Sequence, residues 1–149
     1  MLVAAGIAAG ATLAVDQVTK AVARASFEPG ETRDVALDGA IAVGHVHNYG
    51  SAYGLIEKMP AWLPAAVTGV FGGAMLLMGR GSTHPVAAGI GAGLLIGGGV
   101  GNVIDRVHQG YVTDMFHTGD MFRFYNVADV ALNAGIVLGV GIGASLLFR

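Results

Sequence analysis

Four long apolar runs, separated by polar segments, dominate the hydropathy pattern of the chain. A membrane-spanning helix needs about 20 apolar residues, and these runs predict spans over residues 2–23, 61–79, 85–105 and 126–148. The first run lacks the basic segment that precedes a cleavable secretion signal, so we interpret it as a retained span. The pattern therefore predicts an all-α membrane protein with four transmembrane helices, forming a single integral membrane domain over residues 1–149.

The polar segments between the spans are unequal in length. Four spans put both termini on one side of the membrane and the two long segments, 24–60 and 106–125, on the other. Within the first long segment, Ala40 to Asn48 has the alternating, β-branched character of a strand or hairpin at the membrane surface. Most Lys and Arg residues accompany the long segments, so the positive-inside rule would place those segments in the cytoplasm.

Glycines recur every fourth residue in the last two runs and so lie on one face of each helix. Small residues allow membrane helices to approach closely. We expect both faces to pack against neighbouring helices, and we expect Leu95, which lies off the stripe, to face lipid. The stripes consist of Gly89, Gly93, Gly97 and Gly101 in the third run and Gly135, Gly139 and Gly143 in the fourth.

Composition supports a membrane protein and excludes several kinds of chemistry. Hydrophobic residues make up 54% of the chain and charged residues 12%, whereas about 25% is usual for soluble domains. A net charge of −2 leaves no basic surface for nucleic acid. The chain has no Cys, which excludes a thiol nucleophile and a Cys-based metal site. His45 and His47 share a strand face, but no third ligand stands at a recognisable spacing, so we predict no metal.

Polar side chains concentrate at one predicted membrane boundary, where each is a functional candidate because burial in lipid is costly. They are Asp16, Lys20, Asn102, Asp105, Arg106, Asp114, Asn126, Asp129 and Asn133. Structural interpretations remain open: Asp16 and Lys20 as an i,i+4 ion pair, Asn126 as a helix cap, and Asp105 with Arg106 as an interface pair. For Asp129 we favour a functional role over a structural one, because no basic residue lies within a helical turn to form an ion pair with it. Two carboxylates brought together would share a proton and act as acid and base around a water, as in aspartic proteases.

Four sequence blocks contain most of these polar residues. The blocks are Asp16-Gln17-Val18-Thr19-Lys20, Asn48-Tyr49-Gly50-Ser51-Ala52-Tyr53, Gly101-Asn102-Val103-Ile104-Asp105-Arg106 with Gly110-Tyr111-Val112-Thr113-Asp114, and Tyr125-Asn126-Val127-Ala128-Asp129. In this order they resemble the signal peptidase II family of integral membrane aspartyl proteases. The resemblance implies a catalytic pair, Asp114 and Asp129. It also implies residues that support the pair or hold the substrate: Asp16, Lys20, Asn48, Gly50, Asn102, Asp105, Arg106, Asn126 and Ala128.

The resemblance implies a function as well as a site. Family members cleave diacylglyceryl-modified bacterial prolipoproteins just before the lipidated cysteine, without a metal or organic cofactor. The resemblance also implies that the protein is a monomer, embedded among the lipids of the bacterial cytoplasmic (inner) membrane. The active site would lie on the extracytoplasmic side beside a small β-platform, and both termini would lie in the cytoplasm. This orientation is opposite to the one that the distribution of Lys and Arg residues predicts.

Some features depart from the family pattern, and other functions stay open. Tyr53 stands where the family usually has Phe or Trp, the separation of Asp114 from Asp129 is short, and Asp120 is an additional carboxylate. The alternatives are a non-catalytic prolipoprotein-binding paralogue and an ion-coupled membrane transport subunit.

Overall fold

A computed structural model describes residues 1–50, 59–119 and 124–148. In these ranges the elements are α1 (Leu2–Ser26), β1 (Thr32–Ala36), a short 3-10 helix (Leu37–Gly39), β2 (Ile41–Asn48), α2 (Trp62–Gly81), α3 (Pro85–Gln109), β3 (Val112–Thr118) and α4 (Val127–Leu147). Each of the four α-helices is long and apolar enough to cross a membrane. The prediction of four transmembrane helices with a small sheet is confirmed, and α1 and α3 extend about one turn beyond their predicted spans.

Helix α3 lies at the centre of the bundle and packs against α1, α2 and α4. Its glycine stripe faces α1: a side chain at Gly93 would meet the backbone of Ala5, and one at Gly97 would meet the backbone of Ala9. At the end of the stripe, Gly101 faces the carboxylate of Asp16. The prediction that this stripe contacts a neighbouring helix is confirmed.

The second stripe behaves differently along its length. Gly135 packs closely against Leu95 of α3, whereas a side chain at Gly139 would make only ordinary van der Waals contact with Met75 of α2. Close packing through Gly139 is therefore not observed. The expectation that Leu95 faces lipid is wrong: Leu95 is 5% exposed and belongs to the apolar core. Because helices surround α3 on three sides, residues off its glycine stripe are buried as well.

The described strands form an antiparallel sheet in the order β1-β2-β3. Strand β2 matches the strand predicted at 40–48, and it pairs with β3 so that Val46 lies opposite Asp114. The sheet lies at the end of the bundle where α1 and α3 finish and α4 begins. Met1 packs against Gly79 and Gly89 at the opposite end. The chain's N-terminus and the polar cluster described below therefore lie at opposite ends of the bundle.

Candidate active site

Asp114 lies on β3, with its carboxyl group buried between two asparagine amides. Its Oδ2 accepts a hydrogen bond from Nδ2 of Asn48 at 2.9 Å, and its Oδ1 accepts one from Nδ2 of Asn126 at 2.6 Å. Asn48 is the last residue of β2, and the β2–β3 pairing brings it beside Asp114. The sheet therefore fixes one carboxyl group of the predicted pair.

Asp129 lies in the first turn of α4, where the helix cap holds its carboxyl group. Asn126 is the N-cap: its Oδ1 accepts from the backbone N–H of Asp129 at 3.0 Å, and its own N–H donates to Oδ2 of Asp129 at 3.4 Å. The second carboxyl oxygen accepts from Nδ2 of Asn102 at 3.1 Å. The capping interpretation of Asn126 is confirmed, and the same side chain also contacts Asp114, so it links the two carboxyl groups.

Three asparagine side chains aim their NH₂ groups at the carboxyl pair because their carbonyl oxygens already have donors. Nζ of Lys20 donates to Oδ1 of Asn102 at 2.9 Å, and the N–H of Gly50 donates to Oδ1 of Asn48 at 3.1 Å. The oxygen of Asn126 is occupied by the helix cap. An amide flip would put each NH₂ against a donor, so these contacts set the orientation of all three amides.

Lys20 is buried completely and joins α1 to the rest of the site. Its Nζ lies 2.8 Å from Oδ2 of Asp16 and 3.4 Å from Oδ2 of Asp105. The other oxygen of Asp16 accepts from the N–H of Ala128 at 2.9 Å, at the start of α4. Asp105 accepts from the N–H of Thr113 at 2.9 Å, next to Asp114. The Asp16–Lys20 pair is therefore more than a local helix contact, because it ties α1 to α3, β3 and α4.

Two residues of this network were not singled out from the sequence. Nη1 of Arg24 donates to Oγ1 of Thr113 at 3.0 Å and lies 3.7 Å from Oδ1 of Asp105. Arg24 follows Lys20 by one helical turn, and that spacing was the available signal. Thr113 is fully buried although it directly precedes Asp114 in a predicted surface segment.

Arg106 belongs to the site but does not pair with its neighbour Asp105. Nη2 donates to the carbonyl oxygen of Gly50 at 2.9 Å, and Nη1 donates to that of Asn102 at 3.3 Å. Among the described residues, the ion pairs of Asp105 are with Lys20 and Arg24. The interface-pair interpretation of Asp105 with Arg106 is wrong, because consecutive helical residues point about 100° apart.

The electrostatics of the cluster favour one proton on the carboxyl pair. Burial, reinforced by the negative charge of Asp129, raises the pKa of Asp114 to about 7, while the amides of Asn48 and Asn126 oppose that rise. In the described part of the site, four carboxyl groups face three cations. The carboxyl groups are Asp16, Asp105, Asp114 and Asp129, and the cations are Lys20, Arg24 and Arg106. One proton shared by Asp114 and Asp129 leaves the cluster neutral.

A groove of about 760 Å³ leads away from the carboxyl pair between α2 and α4. Asn102, Arg106 and Asp129 line its polar end. Among the described residues, the rest of its lining is apolar apart from Thr68, whose hydroxyl already donates to the carbonyl oxygen of Pro64 at 2.7 Å. The groove therefore suits a hydrocarbon group attached to a polar one.

Other predicted site residues have different outcomes. Asn133 is exposed on α4, so the expectation that it joins the cluster is wrong: it lies one turn beyond Asp129, at a position that the bundle leaves uncovered. The rings of His45 and His47 lie 4.8 Å apart. No group of three His, Asp or Glu side chains among the described residues could hold a metal ion. Tyr53 and Asp120 lie outside the described residues.

Comparisons with known proteins assign the chain to a family. The family model described as signal peptidase (SPase) II matches residues 8–143. A lipoprotein signal peptidase of Geobacillus thermodenitrificans (strain NG80-2) is 35% identical over 134 residues, covering 87% of this chain and 82% of its own. One from Rhodococcus jostii (strain RHA1) is 37% identical over 139 residues, covering 89% of this chain and 68% of its own.

A solved structure has the same fold. It is a bacterial membrane enzyme determined by the in meso method at 1.9 Å resolution, with a TM-score of 0.72 and 25% identity over 91% of this chain and 89% of that one. Four helices able to cross a membrane and the match over residues 8–143 agree with it. The chain is a multi-pass bacterial membrane protein that belongs to the signal peptidase II family of proteases.

Proposed function

We propose that this chain is an aspartic endopeptidase that removes the signal peptide from diacylglyceryl-modified bacterial prolipoproteins, cutting just before the lipidated cysteine. The observation that carries the proposal is the link through Asn126, which hydrogen-bonds Asp114 and caps the helix that bears Asp129. The apolar groove beginning at Asp129 supports a lipid-bearing substrate. The names of the relatives, lipoprotein signal peptidases, support the same substrate class.

The proposed mechanism assigns one proton to the carboxyl pair. Burial raises the pKa of Asp114 to about 7, so the pair retains one proton in mildly acidic solution. The proposed mechanism places that proton on Asp114 and leaves Asp129 ionised. Asp129 takes a proton from a water molecule as that water attacks the scissile carbonyl, while Asp114 donates a hydrogen bond to the carbonyl oxygen. Collapse of the tetrahedral intermediate breaks the C–N bond, and the proton held by Asp129 passes to the leaving amine. The pair then returns to its singly protonated state.

The remaining candidate residues are proposed to position the pair and the substrate. Lys20, Asp16 and Asp105 orient the amide of Asn102 and fix the start of α4 and β3. Arg106 holds the carbonyl of Gly50 and lines the polar end of the groove, where a substrate carbonyl would lie. Because Lys20, Asp16 and Asp105 are buried and mutually bonded, they need little reorganisation during the reaction.

We further propose that the site faces the extracytoplasmic side, with both termini in the cytoplasm. The site and Met1 lie at opposite ends of the bundle, which supports opposite sides of the membrane for the two. A reporter fused after the C-terminal residue should report a cytoplasmic location. An extracytoplasmic signal would contradict the proposed orientation and would favour the distribution of basic residues.

The transport alternative has less support from the described residues. Asp129 is held by Asn102 and by its own helix cap at one end of α4, and the helix beyond it is mostly apolar. The paralogue alternative predicts substrate binding without turnover. Both alternatives are tested by the experiment below.

The proposed function is tested with purified protein in lipid vesicles. The substrate is a diacylglyceryl-modified prolipoprotein, and the matched control is the same precursor with its lipidated cysteine replaced by serine. We expect mass spectrometry to show a product that begins with the lipidated cysteine, and no cleavage of the serine precursor. Binding of the lipidated precursor without cleavage would contradict the enzymatic proposal and favour the paralogue.

A further inference from the structure

We propose that the groove between α2 and α4 holds an acyl chain of the substrate and that Gly139 sets the longest chain it accepts. This inference rests on the proposed function. The polar end of the groove is formed by Asn102, Arg106 and Asp129. A lipid bound there would have its ester end near the carboxyl pair and its hydrocarbon end toward Gly139.

The length of the groove suits an acyl chain that lies within one leaflet. Gly139 lies ten residues after Asp129 on α4, which corresponds to about 15 Å along the helix axis. This length is half the roughly 30 Å hydrocarbon core of a bilayer. The groove is therefore about as long as the hydrocarbon part of one leaflet is thick.

The far end of the groove is closed by methionines from α2. A side chain at Gly139 would lie 3.7 Å from Sδ of Met75, and one at Gly143 would lie 3.3 Å from Cε of Met78. Helices α2 and α4 therefore come together just beyond Gly139. Between Asp129 and this closure, the part of the lining that the structure describes is apolar apart from Thr68. Because methionine side chains are flexible, they allow chains of somewhat different length to end there.

On the α4 side of the groove, Gly139 is the position where a larger residue should shorten the groove without separating packed helices. Gly135 packs closely on Leu95, so a side chain there would disturb the interface of α3 with α4. At Gly139 a Cβ atom would find only ordinary contact with Met75. Additional atoms at this position would extend into the groove.

The test measures kcat/KM of Gly139→Leu on two precursors that share one peptide sequence but carry palmitoyl or octanoyl chains. Gly141→Leu is the matched control, because it lies on the same helix with open space around it. We expect Gly139→Leu to lower kcat/KM for the palmitoyl precursor by about tenfold or more relative to the octanoyl precursor. Gly141→Leu should leave that ratio unchanged.

The outcomes separate this inference from the proposed function. Equal losses on the two precursors, or no loss on either, would overturn the acyl-length role of Gly139 while wild-type cleavage upheld the function. Failure of the wild-type protein to cleave either precursor would overturn the proposed function itself. If Gly139→Leu does not fold, Gly139→Ala provides the same comparison, because its Cβ fits beside Met75. The ratio should then shift in the same direction by a smaller factor, and an unchanged ratio would overturn the inference.

Discussion

Asn126 donates a hydrogen bond from Nδ2 to Oδ1 of Asp114 at 2.6 Å. The same side chain caps α4 by accepting from the N–H of Asp129 at 3.0 Å. The side-chain amide of Asn126 thus connects the carboxyl group on the strand to the helix turn that bears the second one, whose Oδ2 accepts from the backbone N–H of Asn126. The separation of the pair depends on a helix cap, so local helix geometry and the proposed chemistry are coupled.

The two roles of Asn126 can be separated by substitution. Serine is as good an N-cap as asparagine, but it is too short to reach Asp114. We expect Asn126→Ser to retain most of the thermal stability and to lose about 10- to 100-fold in cleavage rate, because the carboxyl pair loses its spacing. Asn126→Ala should lose the cap as well, at a cost of about 0.5–2 kcal/mol in the free energy of unfolding. Full activity of a folded Asn126→Ser protein would contradict the linking role.

The pH dependence of cleavage should report the raised pKa of Asp114. Below a pKa of about 7 the carboxyl group is protonated and can donate to the scissile carbonyl; above it, that proton is lost. We therefore expect kcat to fall as the pH rises through about 7. The measurement is a pH profile of kcat with a lipidated precursor, and a flat profile on the alkaline side would contradict this assignment.

Removing the Asn48 amide should shift the alkaline limb of the pH profile, where kcat falls, to higher pH. Its amide donates to Oδ2 of Asp114 and stabilises the ionised form, so Asn48→Ala should raise the pKa and shift the limb to higher pH. Thr19→Ala is a suitable control, because the hydrogen bonds of the Thr19 hydroxyl to described residues go to carbonyl oxygens of its own helix. A limb that moves to lower pH in Asn48→Ala would be inconsistent with the observed contact.

Replacement of Lys20 should be far more damaging than replacement of an exposed basic residue. Lys20→Met leaves Asp16 and Asp105 buried without their shared cation, which typically costs about 3–5 kcal/mol. Arg33→Met removes an exposed ion pair with Glu31 and a cation–π contact with the ring of Phe27. Each is worth about 1 kcal/mol or less at an exposed site, so the free energy of unfolding should change far less than in Lys20→Met. Unfolding curves in detergent compare the two variants. Similar stability of both would mean that Lys20 does not balance these carboxylates.

The contact of α1 with α3 can be tested at two glycines with opposite surroundings. A methyl group at Gly97 would meet the backbone of Ala9, whereas one at Gly6 would have open space. We expect Gly97→Ala to lower the melting temperature in detergent and Gly6→Ala to leave it unchanged or raise it, since alanine favours helix. Equal effects of the two changes would contradict close packing along the stripe.

The sequence predicted features that depend on local periodicity. The four spans follow from runs of apolar residues, and the facing of Gly93 and Gly97 toward a neighbour follows from four-residue spacing. The capping role of Asn126 followed from its position at the start of a run. In each case neighbouring positions along one helix carry the signal.

Features that depend on how the elements dock could not be read from that periodicity. Leu95 was misassigned because burial of α3 on three sides is a property of the whole bundle. The contact of Arg24 with Thr113 joins α1 to β3; the spacing of Arg24 after Lys20 places it on the same helix face but does not indicate its partner on β3. Asn133 was grouped with Asp129 by helical spacing, although the bundle leaves that position exposed.

Single-turnover cleavage of a diacylated precursor by Asp114→Asn and Asp129→Asn proteins measures the role of the carboxyl pair most directly. Asp38→Asn, a change at an exposed carboxylate of the short 3-10 helix, is the matched control. We expect each change in the pair to lower the rate by at least about 10²- to 10⁴-fold, with melting behaviour that shows a folded protein, while Asp38→Asn cleaves like the wild type. A folded Asp114→Asn or Asp129→Asn protein that cleaves at a rate near that of the wild type would contradict the proposed aspartic mechanism.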